Sequence, residues 1–141
     1  MAKLVLDTNS LLQCIARRNS CHELWLSLLD GRHQLCVTTE ILEEYAEILQ
    51  RKTSSRFANT LIDIIINNPS TIFVSPVFRF KVIEADPDDN KFVDCAVAAK
   101  ASCIVTDDKH FSHLSKHEFP YVEVLKLREA VALLLSSQGM S

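Results

Sequence analysis

Short, continuous apolar runs alternate with longer amphipathic segments along the chain. The apolar runs predict buried strands at residues 3–6, 34–37, 71–75, 103–106 and 121–125. Apolar residues at helical spacing predict helices over residues 10–18, 20–30, 39–51, 55–67, 89–101 and 127–136. Because the strands are continuous and do not alternate in polarity, they indicate a parallel sheet that helices cover on both faces. The pattern therefore predicts an α/β fold.

Local signals mark the ends of some predicted elements. Ser20 and Glu23 have the spacing of a capping box, and Gly31 is expected to end the helix that follows them. Predicted strands and helices continue to residue 136. We therefore expect one domain over residues 1–136 and a loose tail over residues 137–141.

The composition is that of an ordinary globular chain, with 48% apolar and 23% charged residues among 141. No apolar run reaches the ~18 residues that span a bilayer, and residues 1–15 lack the pattern of a secretory signal. Five cysteines, an odd number without a C-x-x-C pair, lie mostly within apolar segments. We therefore expect reduced, buried thiols in a cytoplasmic protein.

Charge and glycine content narrow the functional classes. The net charge is −3, so a nucleic-acid partner would have to be met by a local basic patch on a chain that is not basic overall. The chain has two glycines, Gly31 and Gly139, which excludes glycine-rich phosphate loops of the P-loop or dinucleotide type. Cofactor chemistry that depends on those loops is not expected.

Carboxylates follow two of the predicted strands directly. Asp7 follows the first strand, and Asp107 and Asp108 follow residues 103–106. In open α/β sheets, ligands bind beyond the carboxyl ends of the strands. Taken alone, each of these acids could be a helix cap or a turn residue. Together they predict a polar site at one edge of the sheet.

Two helical acids are expected to join that site. In the helix over residues 39–51, Glu44 lies nearest the apolar arc, and the other glutamates point farther into solvent: Glu40, Glu43 and Glu47. In the helix from Asp89, that residue falls on the apolar face, whereas Asp94 falls nearly opposite. Glu44 could otherwise be a solvated charge and Asp89 a simple helix cap.

Several carboxylates at one sheet edge repel one another strongly unless a cation lies between them. Ligation by carboxylates alone favours a hard divalent ion, Mg²⁺ or Mn²⁺, whereas zinc requires histidine or cysteine ligands at suitable spacing. His110, His113 and His117 share a helical spacing, but we expect a polar surface turn there. The acids therefore predict a magnesium or manganese site.

Three segments in this order resemble the PIN-domain ribonucleases: LVLDTNSLL, TTEILEEYAEIL and DPDDNKFVDCAVAAKASCIVTDDKHF. Within that family the chain is most similar to the toxin components of bacterial type II toxin–antitoxin systems. The resemblance implies a compact three-layer α/β/α domain, often a homodimer, that cleaves single-stranded RNA with Mg²⁺ or Mn²⁺. It also implies an antitoxin on a separate chain.

The resemblance assigns roles to individual residues. It implies that four acids hold one or two metal ions: Asp7, Glu44, Asp89 and Asp108. Asp88 and Asp94 remain alternatives for the third of these acids. Asn9 and Thr106, with Asp94 if it is not a ligand, are expected to orient carboxylates or water through hydrogen bonds. Asp107 stands where this group usually has a small residue, often glycine, so either Asp107 or Asp108 could face the metal.

The RNA backbone requires cations near the acids. The candidates cluster in helices next to the first two motifs: Arg17, Arg18, Arg51, Lys52 and Arg56. An apolar face on residues 10–18 or 55–67 could form a homodimer, although the same residues could belong to the core.

Three other functions compete with the ribonuclease. A haloacid dehalogenase-like phosphatase would need the motif D-x-D after the first strand, but Asn9 stands where the second aspartate of that motif would be. A non-catalytic RNA- or protein-binding module on the same fold is the main alternative. A DNA-directed nuclease would use the same metal chemistry, so the sequence does not separate it from a ribonuclease.

Overall fold

A computed structural model of the chain describes residues 1–76, 89–111 and 121–136. Within them the strands are β1 (Lys3–Leu6), β2 (Gln34–Val37), β3 (Ile72–Phe73), β4 (Cys103–Val105) and β5 (Val124–Leu125). The α-helices are α1 (Thr8–Ile15), α2 (His22–Leu29), α3 (Thr39–Lys52), α4 (Ser55–Asn67), α5 (Asn90–Ala99) and α6 (Leu127–Ser136). A 3₁₀ turn covers Lys109–Phe111.

The strands form one parallel sheet in the order β3-β2-β1-β4-β5. In the register of the central pair, Leu6 of β1 lies opposite Val105 of β4. The residues that follow these two strands, Asp7 and Thr106, therefore emerge side by side at the same edge. This arrangement confirms the α/β prediction and brings two of the predicted polar residues together at the carboxyl edge of the sheet.

Helices cover the sheet because its strands are apolar on both faces. Leu4, Val5 and Leu6 of β1 are all fully buried. Helix α5 packs across β1, β2 and β4, while α1 packs on β1 and against α2. Ala96 and Ala99 lie on the buried part of α5, where their small size allows close approach to the sheet. The result is the three-layer α/β/α arrangement that the resemblance implied.

Side-chain caps set several helix starts. Asp7 caps α1 through a 2.8 Å hydrogen bond from the Ser10 backbone amide, so this helix begins two residues earlier than predicted. The predicted capping box at Ser20 is wrong, because α2 begins at His22 after Cys21, which makes no side-chain cap.

Other predictions about the chain have mixed outcomes. All five cysteines are free and buried, as expected, and burial raises the pKa of Cys14 to about 12. Within the described ranges, none of the helices has the length and apolar character needed to cross a bilayer. Asp88, His113, His117 and the tail over residues 137–141 lie outside the described residues.

Candidate active site

Asp7 is the most enclosed acid at the carboxyl edge of the sheet, with 7% of its surface exposed. Its Oδ1 accepts the Ser10 amide, and the Thr106 hydroxyl donates to its Oδ2. The Asp7 amide also donates to the Val105 carbonyl at 3.2 Å. These contacts fix the carboxylate between the ends of β1 and β4.

Burial and charge act against ionisation of Asp7. Desolvation raises the pKa of this carboxyl above its usual value, and the nearby charge of Asp108 adds to the increase. The hydrogen bonds from Thr106 and Ser10 work in the opposite direction but do not cancel it. A cation at this position would therefore favour the charged form of Asp7.

The turn after β4 orients Asp108. The Asp108 amide donates to the Thr106 hydroxyl oxygen at 3.0 Å, so Thr106 contacts both acids of the strand ends. Asp108 Oδ1 in turn accepts the His110 amide at 2.9 Å and lies 3.3 Å from His110 Nδ1. The sequence Thr-Asp-Asp-Lys-His thus folds into a turn whose polar atoms surround one carboxylate.

Three potential metal ligands meet at this turn. One carboxylate oxygen from Asp89, one from Asp108 and one imidazole nitrogen from His110 lie within 4.8 Å of one another. Two oxygens and a nitrogen at such separations suit a divalent cation after a small contraction of the site. Asp89 precedes α5, as the sequence predicted, so a helix start and a strand end supply the same site.

Asp107 and Asp108 have different partners although they are adjacent. Asp107 Oδ1 accepts the backbone amide of Leu127, the first residue of α6, at 2.9 Å. Asp108 contacts His110 and belongs to the group with Asp89. The aspartate that stands in place of the usual small residue therefore holds α6.

Glu44 lies on α3, half-buried, while the other three glutamates of that helix are exposed. The helical-wheel prediction is confirmed in this respect. The Thr8 hydroxyl donates to Glu44 Oε2, and Lys91 Nζ lies 2.7 Å from Oε1. An internal lysine thus already neutralises this acid.

A family model described as PIN domain matches residues 3–110. The chain belongs to the PIN-domain family. No protein with a curated description matches it.

Three solved structures share the fold of this chain. VapBC2 from Rickettsia felis, bound to a promoter DNA fragment, matches with a TM-score of 0.61 at 16% identity, over 88% of this chain and 98% of that one. DNA-bound VapBC from Salmonella typhimurium gives 0.59 at 14% identity, over 90% and 99%. The PIN domain endonuclease Utp24 gives 0.51 at 14% identity, over 88% and 84%.

One helical prediction within this PIN domain is wrong. Asp94 was expected nearly opposite the apolar face of its helix, yet it is only 5% exposed. The reason is that α5 packs against the sheet and also against α3, so it is enclosed on more than one side. Asp94 consequently lies inside the protein, whereas Asp89, at the start of α5, is half-buried.

A cleft of about 410 Å³ opens at the strand ends of the PIN domain. Its walls include the acids and polar residues Asp7, Asn9, Ser10, Gln13, Lys52, Asp107 and Asp108. We call it the acid cleft. Ser10 is 1% exposed and lies against Asp7, whose Oδ1 accepts its backbone amide. His110 was expected in a polar surface turn, yet it lies with Asp89 and Asp108 in the group of potential ligands. The contacts of Ser10 and Lys91 were not predicted, because they arise only in the folded chain.

The predicted RNA-binding cations are distributed unevenly. Lys52 lines the acid cleft, and Arg18 lines a neighbouring one. Arg51 pairs with Glu47 at 3.3 Å on the exposed side of α3, and Arg17 is exposed after α1. Lys52 and Arg18 are therefore the two best placed to meet a strand at the acids.

Proposed function

We propose that the chain is a metal-dependent endoribonuclease that cleaves single-stranded RNA and acts as the toxin of a toxin–antitoxin pair. The observation that carries this proposal is the meeting of Asp89, Asp108 and His110 within 4.8 Å, beside the buried carboxylate of Asp7. PIN domains are generally nucleases, and Utp24, which shares the fold, is described as an endonuclease.

The donor set fits a divalent cation. Asp89, Asp108 and His110 would hold Mg²⁺ or Mn²⁺. The predicted ligands Asp7 and Glu44 lie outside this group of three; Asp7 is close enough to feel the charge of Asp108, and Glu44 pairs with Lys91. When bound, such an ion lowers the pKa of a coordinated water and neutralises charge on the scissile phosphate. Asp94 is the alternative to Asp89, since it too belongs to α5.

The chain's own hydrogen bonds position the reacting groups. Thr106 contacts both Asp7 and the amide of Asp108, so one hydroxyl sets the spacing of two acids. Ser10 is buried at the wall of the acid cleft, where its amide holds Asp7 Oδ1. Asn9, exposed at the same cleft, is placed to contact the substrate strand.

Cations around the site would bind the substrate backbone. Lys52 is in the acid cleft itself, while Arg17, Arg18 and Arg51 would contact the strand farther away. Matched RNA and DNA oligomers would establish whether the enzyme requires the 2′-hydroxyl.

An exposed apolar pair on α4 supports the partner proposal. Phe57 and Ile64 are seven residues apart, so they share one face of the helix, and they are 43% and 40% exposed. The two VapBC structures are DNA-bound, the Rickettsia felis one to a promoter fragment, and their VapBC composition supports a protein partner for this chain as well. We propose that this face of α4 meets the antitoxin in the cytoplasm; a homodimer formed through the same face in the absence of antitoxin would contradict this assignment.

The test is cleavage of a single-stranded RNA with Mg²⁺ or Mn²⁺ by the wild type and by Asp108→Asn. Asp63→Asn is the matched control, because Asp63 is exposed on α4 outside the acid cleft. We expect cleavage to be lost in Asp108→Asn and kept in the control. Equal cleavage by all three proteins would overturn the proposal. RNA binding without any cleavage would favour the non-catalytic module.

A further inference from the structure

A second cleft, of about 480 Å³, opens beside the acid cleft. Its polar lining consists of Gln13, Arg18, Asn19, Ser20, Asp107, Lys126 and Arg128. We call it the basic cleft. Gln13 and Asp107 line both clefts, so the two are neighbours across a shared wall.

Among the described residues, the cations of the basic cleft outnumber the nearby carboxylates: Asp107 lines the cleft, and Glu129 Oε1 accepts the Lys126 amide at 2.9 Å. None of Arg18, Lys126 and Arg128 forms an ion pair with a residue that the structure describes, whereas Arg32, Arg51 and Lys91 each do. Asp107 is the single acid among the described lining residues, and its Oδ1 already accepts the Leu127 amide. Three positive charges around one cavity therefore favour an anionic ligand.

Two parts of the chain bring these cations together. Arg18 belongs to the segment between α1 and α2, while Lys126 and Arg128 flank the first residue of α6. The bond from Leu127 to Asp107 fixes the start of α6 beside the turn that contains Asp108. Asp107 lines both clefts and holds the start of α6 between them. This gives a structural role to the aspartate that stands where the resemblance implies a small residue.

We propose that the basic cleft binds the sugar–phosphate backbone of the same nucleic-acid strand, adjacent to the nucleotide held in the acid cleft. This inference rests on the proposed nuclease function, since it is the acids that define where the scissile phosphate lies. Gln13, Asn19 and Ser20 add polar side chains that can bind phosphate oxygens. Two or more phosphates would then be held on one side of the cut.

The lining also indicates how selective this contact is. Among the described residues that line the basic cleft, none is aromatic, so bases have no side chain on which to stack. Contacts to phosphate alone carry no sequence information. We therefore expect the basic cleft to strengthen binding equally for strands of different base composition.

The experiment measures the salt dependence of binding. A fluorescent single-stranded RNA of mixed sequence is titrated in EDTA, so that no strand is cut, with the wild type and with Lys126→Gln/Arg128→Gln. The control is Lys3→Gln/Lys100→Gln, which removes the same charge at the opposite edge of the sheet, where β1 and β4 begin. Thermal unfolding confirms that each variant is folded.

Loss of two phosphate contacts should reduce the slope of log K against log salt by about 1.4 for a single strand. Between 50 and 200 mM salt, the wild type should therefore lose about sevenfold more affinity than the double variant. The control should match the wild type. Arg18→Gln, which leaves α6 intact, should reduce the slope by about 0.7.

Equal slopes for the wild type and all the basic-cleft variants would overturn the inference. A double variant that binds RNA normally but loses affinity for polyglutamate would also overturn it, because the cleft would then serve an acidic protein segment. Cleavage with unchanged slopes contradicts this inference alone. Reduced slopes in a protein that does not cleave RNA contradict the proposed nuclease and leave the binding site standing.

Discussion

Two of the predicted acids, Glu44 on α3 and Asp7 at the strand ends, have different partners for their charge. On the α3 side, Glu44 has a lysine at 2.7 Å and a hydroxyl donor, both from the protein. At the strand ends, Asp7 is held by uncharged donors, and no described residue forms an ion pair with it. Glu44 therefore has a positive counter-charge from the protein, whereas Asp7 has none among the described residues and would gain one from an added metal ion.

From this difference we infer how strongly a bound metal ion would stabilise the ionised form of Asp7 and of Glu44. Asp7 has a raised pKa through burial and the charge of Asp108, so a divalent cation relieves it most. Glu44 can ligate only if Lys91 moves away or if both share the carboxylate. The strand ends should therefore dominate metal binding, with Glu44 as a lesser contributor.

The largest expected effect is that of Asp7→Asn, which should reduce the cleavage rate by at least about 100-fold, as loss of a preorganised charge does elsewhere. The same variant should raise the melting temperature in EDTA. Because the pKa of Asp7 is raised in the folded protein, protonated Asp7 stabilises the fold at pH values below its ordinary pKa. This stabilisation is lost as pH rises through the raised pKa. Asparagine stays neutral, so the variant does not lose this stabilisation at pH 7.

Thermal unfolding with and without Mn²⁺ checks both halves of this prediction. Mn²⁺ should raise the melting temperature of the wild type but not of Asp7→Asn. A variant that is less stable than the wild type in EDTA and still responds to Mn²⁺ would show that Asp7 has only a structural role.

Lys91→Gln should remove the positive charge that pairs with Glu44, so that Glu44, like Asp7, is held by an uncharged donor. The Lys91 and Glu44 side chains are 17% and 24% exposed, so removal of the lysine leaves a largely buried charge and should cost about 1–3 kcal/mol of stability without metal. Divalent ions should then bind more tightly, because Glu44 becomes available.

Calorimetric titration of Mn²⁺ into Lys91→Gln, Glu44→Gln and the double variant measures this coupling. We expect tighter binding in the first variant and no such gain in the double variant. Weaker Mn²⁺ binding in Lys91→Gln would mean that the lysine supports the metal site and does not compete with it.

His110→Asp should change the preference of the strand-end site for Mn²⁺ over Mg²⁺. Imidazole suits transition metals better than Mg²⁺, so the wild type should prefer Mn²⁺, and aspartate should reduce that preference by about tenfold. The ratio of the two dissociation constants is the measurement. An unchanged ratio, with both ions still bound, would place His110 outside the coordination sphere.

The smallest effect concerns the opposite edge of the sheet. His33 Nδ1 accepts the Ala2 amide at 2.9 Å, while Nε2 lies 3.2 Å from the Leu134 carbonyl of α6, which fits the neutral ring. Burial lowers the pKa of His33 below 6.5, so its stabilisation is present above that pH and is lost as pH falls through the lowered value.

Melting temperatures between pH 5 and 8 should therefore fall more steeply with acid for the wild type than for His33→Gln. Metal affinity at pH 7.5 should be the same in both proteins. A change in Mn²⁺ affinity on substituting His33 would contradict the separation between the two edges.

Much of the fold was predictable from local pattern. The apolar runs at β1 and β2 match the structure residue for residue, and the wheel for α3 selected Glu44 correctly. Such predictions succeed because strand burial and helix periodicity depend on nearby residues. The Ser20 capping box failed because the chain turns at Asn19, whose side chain binds the Cys21 amide at 2.8 Å.

The site was predictable in outline but not in its pairings. The sequence placed Asp7 and Asp108 at one edge, since both follow parallel strands. It did not show Lys91 beside Glu44, His110 beside Asp108, or Asp107 at the start of α6. These contacts join residues on different elements, or depend on the path of a turn, so no period along the chain encodes them.

An anomalous difference map of crystals soaked in Mn²⁺ tests directly whether the strand ends bind a divalent cation. We expect a peak coordinated by Asp89, Asp108 and His110, close to the carboxylate of Asp7. A peak bound elsewhere, or no peak while the crystals still cleave soaked RNA, would contradict this expectation.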